Sequence, residues 1–340
     1  MTPERFADIT QSYPSLRVAV VGDFCLDRYL EIDPARSETS LETGLPVHNV
    51  VRVRAQPGGA GTVLNNLVAL GVGTLLPVGL AGDDGEGYEL RRALAALPGV
   101  RLDHFLQTSD RSTFTYCKPI VLEPGQAPRE LSRLDQKNWT PTPPPLAARV
   151  SAAVQASFER VDALVLLSQV NLPETGVLTT VVLETIRDLA QAHPARLMLA
   201  DSRHGLQSFP PVTFKLNAAE AMPLLGLRPT AGLEAMAAAA TQLAGRNGHP
   251  VFITLAERGI ISASPERGWE HVPALPLRGE IDVVGAGDAV TANLLAALAA
   301  GATLRESLEL ATVAASIVIH QLGTTGTATV AQLRELLPVC

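Results

Sequence analysis

Two small residues on either side of an alanine, followed by a carboxylate, form the part of this sequence best suited to chemistry. In Asp282-Val-Val-Gly-Ala-Gly-Asp288, residues Gly285, Ala286 and Gly287 have little or no side chain. Their backbone N–H groups can therefore approach an anion closely where a helix begins and its dipole favours negative charge. Asp288 would stand in that first turn, placed to take a proton from an attacking hydroxyl while the amides hold charge on a transferred phosphoryl group. The same seven residues would also suit a tight strand-to-helix turn in which Asp288 only complements the dipole, so the surrounding elements must decide.

Those elements alternate. Leu16 to Val21 reads as a buried strand ending at Gly22-Asp23, with Asp23 and Asp27 on the loop beyond it. Gly61 to Leu70 is helical in pattern, Thr74 to Leu80 a strand, and Glu86 to Leu97 a helix ending before Pro98-Gly99. The rhythm returns with Ala163 to Leu167 (strand), Glu174 to His193 (helix), Arg196 to Ala200 (strand), Ala231 to Gly245 (helix) and Val251 to Leu255 (strand). Apolar strands alternating with helices predict an α/β fold: a mainly parallel sheet covered on both faces, with ligands at the carboxyl ends of its strands. Residues 29–54 and 112–135 break the rhythm with polar and apolar residues in alternation, which predicts a small β-sheet lid over the strand ends. Pro141 to Pro145 reads as a stiff linker back to the main body. The 340 residues are expected to form one large domain with this lid as an appendage.

Composition narrows the function classes. A net charge of −7 argues against a nucleic-acid surface but leaves room for a local basic cleft. Cys25, Cys117 and Cys340 are odd in number and widely spaced, so neither a disulfide framework nor a zinc site is expected, and a cytoplasmic setting is. His48, His104, His204 and His271 have no metal-ligand spacing. The start of the chain, with Glu4, Arg5 and Asp8, does not read as a secretory signal. The apolar run Ala289 to Ala300 is shorter than the ~20 residues a bilayer requires and reads as a buried helix, so no membrane partner is expected.

From Arg17 to about Val330 the chain resembles the ribokinase-like, or PfkB, carbohydrate kinases. The likeness rests on Gly22-Asp23-Phe-Cys-Leu-Asp27, Gly58-Gly59-Ala60, Asn217-Ala-Ala-Glu220, Thr254-Leu-Ala-Glu-Arg-Gly259 and Gly285-Ala-Gly-Asp288, in the family's order. Within the family it is similar to the heptose 7-phosphate kinases of ADP-heptose synthesis. Asp27-Arg28-Tyr29, Ser40-x-Glu42-x-x-x-Pro46-Val47, Pro57-Gly58-Gly59-Ala60, Arg133-Leu134-Asp135 and Gly323-Thr324 carry that likeness. A nucleotidyltransferase half following residue 340 is not expected.

The resemblance implies a ribokinase-like three-layer sandwich and ATP-dependent phosphorylation of a sugar or sugar phosphate. It makes Asp288 the base and Gly285 to Gly287 the anion hole. It gives Asp23, Asp27, Gly58 and Gly59 to the substrate, and Asn217, Glu220, Thr254 and Gly259 to the nucleotide. Mg²⁺ would be held by Glu220 through water, because the ion keeps much of its hydration. Read without the family, Asp27 could cap a turn, Gly58-Gly59 could be a plain loop, Asn217 and Glu220 could be a helix N-terminal pair, and Arg133 and Asp135 a solvated pair on the lid. Exposed lid strands with apolar Val47, Val51 and Val53 suggest a homodimer joined through the lids.

Several positions depart from the family pattern. Thr62 stands where an Asn is usual, and Ser168-Gln169-Val170-Asn171 replaces a Ser-Asp-Tyr stretch followed by Lys-Gly, removing a cation that would suit a 7-phosphate. Arg203 in Asp201-Ser-Arg203 is a candidate replacement. Val284 replaces a Thr, which puts a monovalent-cation site in question, and Ala256 replaces a Gly, tolerable at negative φ. These changes keep open two alternatives: a non-catalytic sugar- or nucleotide-binding regulator, and a nucleoside kinase.

Overall fold

The computed structural model describes residues 1–228 and 232–337, so Cys340 and the first residue of the expected helix at 231 lie outside the described residues. Its main sheet has nine strands in the order Gly268–Val272, Ile260–Ser264, Val251–Thr254, Thr213–Asn217, Leu197–Ser202, Ala163–Ser168, Arg17–Gly22, Thr74–Gly82, Phe105–Thr108. Pairing is parallel from Phe105–Thr108 through Val251–Thr254 and antiparallel at the other end. Each central strand feeds two cores: Val18 and Val20 pack with helices on one face, Ala19 and Val21 with those on the other. A strand covered on both faces needs apolar residues at every position, which is why these segments read as unbroken hydrophobic runs.

Helices Ala60–Ala69, Ala286–Ala299 and Leu304–Val318 cover one face; Pro144–Phe158, Thr180–Ala192 and Leu233–Asn247 cover the other. The expected prolines at 141–145 are only partly a linker. Pro144 and Pro145 open a helix, where a fixed φ and a missing N–H do no harm. The helix expected from Glu174 begins at Thr180 instead, capped by Thr179. Glu174 has φ 65, and its carboxylate accepts the Thr180 N–H at 2.9 Å.

The lid is a five-stranded sheet ordered Leu134–Gln136, Thr115–Val121, Phe24–Ile32, Val50–Gly59, with Arg129–Glu130 paired to Thr115–Val121. It begins earlier than the pattern implied. Phe24–Ile32 follows Arg17–Gly22 with only Asp23 between them, so Asp27 lies within a strand rather than on a loop.

Candidate active site

The carboxyl ends of the main-sheet strands and the underside of the lid enclose an open cleft of about 560 Å³. Its floor is the turn before Ala286–Ala299. Gly285 takes φ 85, a left-handed conformation open to glycine, and serves as N-cap. The Ala286 N–H is engaged by Val283 O at 3.3 Å, whereas those of Gly285, Gly287 and Asp288 meet no acceptor among the described residues. Unmatched N–H groups at a helix start are what an anion requires.

Asp288 lies at the bottom of the cleft, partly exposed but crowded by protein. Desolvation raises its pKa to about 7, Asp201 and more distantly Asp27 push the same way, and Lys215 and Arg203 oppose them. Such a carboxylate can both take and release a proton near neutrality.

Lys215 was not singled out in the sequence because it interrupts the short apolar strand Thr213–Asn217, which escaped notice with it. It is 4% exposed. Its Nζ donates to Asp201 Oδ2 at 2.8 Å, and Thr291 Oγ1 donates to the same oxygen at 2.7 Å. A Cβ placed on Gly287 would stand 3.3 Å from Nζ, so the ammonium adjoins the anion-binding turn. Burial works against its charge, but the Asp201 carboxylate outweighs this and leaves the pKa raised. A lysine between apolar neighbours at a strand's carboxyl end was the available signal.

Asp27 is 5% exposed and lines the cleft; burial raises its pKa, with Lys118 and Arg133 countering. Lys118 Nζ is 3.8 Å from Asp27 Oδ1. Gly58 explains how the carboxylate fits, since a Cβ there would fall 2.7 Å from Asp27 Cγ. Gly59 and Thr62 line the cleft. Asp23 does not. Its carboxylate is buried and accepts N–H groups from Gln169, Val170 and Val177 at 2.8, 3.3 and 2.7 Å, tying the start of the lid to the main body.

Asn217 and Glu220 form a reciprocal helix cap: the Glu220 N–H meets Asn217 Oδ1 at 2.9 Å and Glu220 Oε2 accepts the Asn217 N–H at 2.7 Å. The pair nonetheless borders the cleft, and Glu220 Oε1 meets no hydrogen-bond donor among the described residues. Among the described residues no cluster of three His, Cys, Asp or Glu side chains could hold a metal alone. One free carboxylate oxygen suits a hydrated Mg²⁺ held mainly by substrate phosphates. Thr254 and Gly259 flank the cleft without lining it; Thr254 Oγ1 donates to Leu216 O at 3.4 Å. Between them Ala256 has φ 53, contrary to the negative φ that would make its methyl group harmless.

A family model described as pfkB family carbohydrate kinase matches residues 16–330. The chain belongs to the pfkB family. Two similar relatives are both named bifunctional protein HldE: that of Azorhizobium caulinodans, 32% identical over 94% of this chain and 64% of its own length, and that of Pelobacter propionicus, 32% identical over 90% and 60%. The chain thus spans less than two thirds of these relatives. Among solved structures, Arabidopsis thaliana ribokinase complexed with ribose and ATP superposes with a TM-score of 0.67 at 19% identity, covering 95% of this chain and 98% of that one. Escherichia coli phosphofructokinase-2 in complex with fructose-6-phosphate gives 0.68 at 16%, covering 95% and 98%. These likenesses show a ribokinase-like fold. No helix of the described residues is long and apolar enough to cross a membrane.

Proposed function

We propose that this chain, as a single kinase domain of residues 1–340, transfers the γ-phosphoryl group of ATP to a hydroxyl of a sugar or sugar phosphate, with a heptose 7-phosphate as the leading acceptor. The observation that carries this reading is Asp288: a carboxylate with its pKa raised to about 7, in the first turn of a helix where the Gly287 and Asp288 N–H groups meet no acceptor among the described residues. The acceptor hydroxyl gives its proton to Asp288, its oxygen bonds to the γ-phosphorus, and the bond to the ADP oxygen breaks. Negative charge on the moving group is met by the Gly287 and Asp288 amides and by Lys215. Asp27 holds acceptor hydroxyls, for which its oxygens offer several lone pairs. Glu220 would hold a hydrated Mg²⁺, which would supply positive charge to neutralise the nucleotide phosphates.

Heptose 7-phosphate is suggested by the relatives named HldE, the heptose kinase/adenylyltransferase. ADP release with Mg²⁺-ATP is the test, across heptose 7-phosphates, other sugar phosphates, free sugars and nucleosides, beside Asp288→Asn. A selective signal that depends on Asp288 is expected. ADP release equal in the two proteins would sink the assignment of the base, and nucleotide binding without turnover of any acceptor would favour a regulator, as the changes at Thr62 and Gln169 allow.

We also infer a cytoplasmic homodimer joined through the lids. The strand Val50–Gly59 has an open edge and leaves Val51 48% exposed and Val53 46% exposed. Light scattering at micromolar concentration should give twice the chain mass; a monomer mass would contradict this.

A further inference from the structure

A neutral side-chain pair joins the lid to the core beside the anion-binding turn. In the lid sheet Gln56 stands directly opposite Asp27. Residues opposed across an antiparallel pair leave the sheet on the same face, and here that is the face over the cleft, which Asp27 lines. From this position Gln56 Nε2 donates to Thr325 Oγ1 in the loop before the last described helix.

Thr325 lines the cleft and lies against the turn. A Cβ built on Gly285 would stand 3.5 Å from both Cα and Cβ of Thr325 and 3.6 Å from its Cγ2. The loop that carries Thr325 is braced on its far side. Gln321 bridges it, with Nε2 donating to Thr327 O at 2.8 Å and Oε1 accepting the Thr327 N–H at 3.1 Å. Asn66, buried in the helix that directly follows the lid strand, donates to Gly326 O at 3.4 Å. The Asp282 N–H donates to Ile319 O at 2.8 Å, which ties the chain entering the turn to the chain entering this loop. Thr325 is thus held to the core at the point where Gln56 reaches it.

We propose that Gln56 and Thr325 are positioning residues whose hydrogen bond acts as a strut, setting the span between the strand that carries Asp27 and the turn at Gly285. Neither residue is charged, and neither has to touch a reacting atom. One neutral hydrogen bond adds little to global stability. Its place gives it leverage, because the rate of a transfer between two held groups falls steeply when either is misplaced. The effect on rate rests on the kinase reading, with Asp27 on the acceptor and Gly285 to Gly287 on the transferred group; the mechanical coupling does not.

Four variants test the strut: Gln56→Ala removes the donor, Thr325→Val removes the hydroxyl but keeps a branched side chain beside Gly285, Thr325→Ser keeps the hydroxyl, and Gln56→Ala/Thr325→Val removes both ends. Hydrogen-exchange mass spectrometry reads the coupling without turnover. Gln56→Ala should speed exchange at residues 282–288 and Thr325→Val should speed it in Val50–Gly59, each roughly 2- to 10-fold. With Mg²⁺-ATP and the acceptor that gives most ADP release, either single variant should lower kcat about tenfold while KM for ATP stays within about twofold. The double variant should be no slower than the slower single, since both ends belong to one bond. Thr325→Ser should stay near the wild type. Losses that multiply in the double variant overturn the strut, as does faster exchange confined to the segment that carries the substitution, or a loss in Thr325→Ser equal to that in Thr325→Val. A rise in KM for ATP with Thr325→Val alone overturns it too, by placing that hydroxyl on the nucleotide. A wild type that turns over no acceptor removes the kinase reading and leaves the strut to the exchange data: reciprocal acceleration of the two segments upholds it, and independent behaviour overturns it.

Discussion

At the floor of the cleft every residue from Ala289 to Ala297 is buried behind Asp288, and Lys215 and Asp201 are paired among strand ends. At the roof, the lid strand Val50–Gly59 leaves Val50, Val51 and Val53 between 43% and 48% exposed, and its cations stand in pairs open to water. Packing behind the floor crowds Asp288 and Lys215 with protein, so these groups acquire shifted pKa values. The roof is a thin sheet that can vary its side chains without dismantling a core. Under the proposed function, chemistry would belong to the first region and choice of acceptor to the second.

The most severe way to break the floor is Asp288→Asn. Loss of the base should lower kcat by roughly 10²- to 10⁴-fold with unchanged far-ultraviolet circular dichroism. For the wild type, kcat/KM should rise with pH to a plateau, with an apparent pKa near 7, because Asp288 must be deprotonated to act. Stability runs in the opposite direction. Asp288 binds its proton more tightly when folded, at about 7 against an ordinary 3.8, so its contribution is most favourable below pH 4 and is lost as pH rises through 7. Asp288→Asn should therefore melt above the wild type at pH 8, with the gap closing toward pH 4; equal melting temperatures at pH 8 would contradict this.

Lys215→Met attacks the same region through the buried pair. It leaves Asp201 with Thr291 as its remaining partner and should destabilise by about 3–5 kcal/mol. The double variant Lys215→Met/Asp201→Asn removes the stranded charge and should recover much of that loss in urea unfolding. Lys215 also holds the pKa of Asp288 down, so in the single variant the activity profile should move to higher pH. A profile that stays in place would detach Lys215 from the base.

How much of this was legible follows the same division. The turn at Gly285 and the carboxylates of Asp288 and Asp27 are local patterns, and the alternation of strands and helices is a repeated one. The contacts of Asp23 could not be read from the sequence because its partners, Gln169, Val170 and Val177, are more than a hundred residues away. Thr213–Asn217 was hidden by the lysine inside it, and the hairpin Ile260–Ser264 with Gly268–Val272 by its brevity. Asn217 and Glu220 were legible as a helix cap and as a cleft-side pair, and they are both at once.

Where roof meets floor, Gly58→Ala sharpens the division. The added methyl group would strike the Asp27 carboxylate from 2.7 Å, so either the lid strand or Asp27 must move. Overpacking of this kind costs about 1–3 kcal/mol. If the roof selects the acceptor, KM for the acceptor should rise several-fold while KM for ATP holds. Equal increases in both would mean that the displacement reaches the floor.

Ala256→Gly is the gentlest change and reverses the usual direction of a glycine substitution. Ala256 sits at φ 53 between Thr254 and Gly259, where a side chain is disfavoured by contact with its own backbone. Glycine removes that strain but gives the unfolded chain more freedom, so the two effects oppose each other. At this φ the relief should win by about 0.5–1 kcal/mol, raising Tm by about 1 °C in a chain of this size. The loop adjoins the strand that ends at Thr254, so, if that side holds the nucleotide as the family resemblance implies, the same variant should change KM for ATP more than KM for the acceptor. A lower Tm would show that neighbouring contacts hold the alanine in place strongly enough to offset its backbone strain.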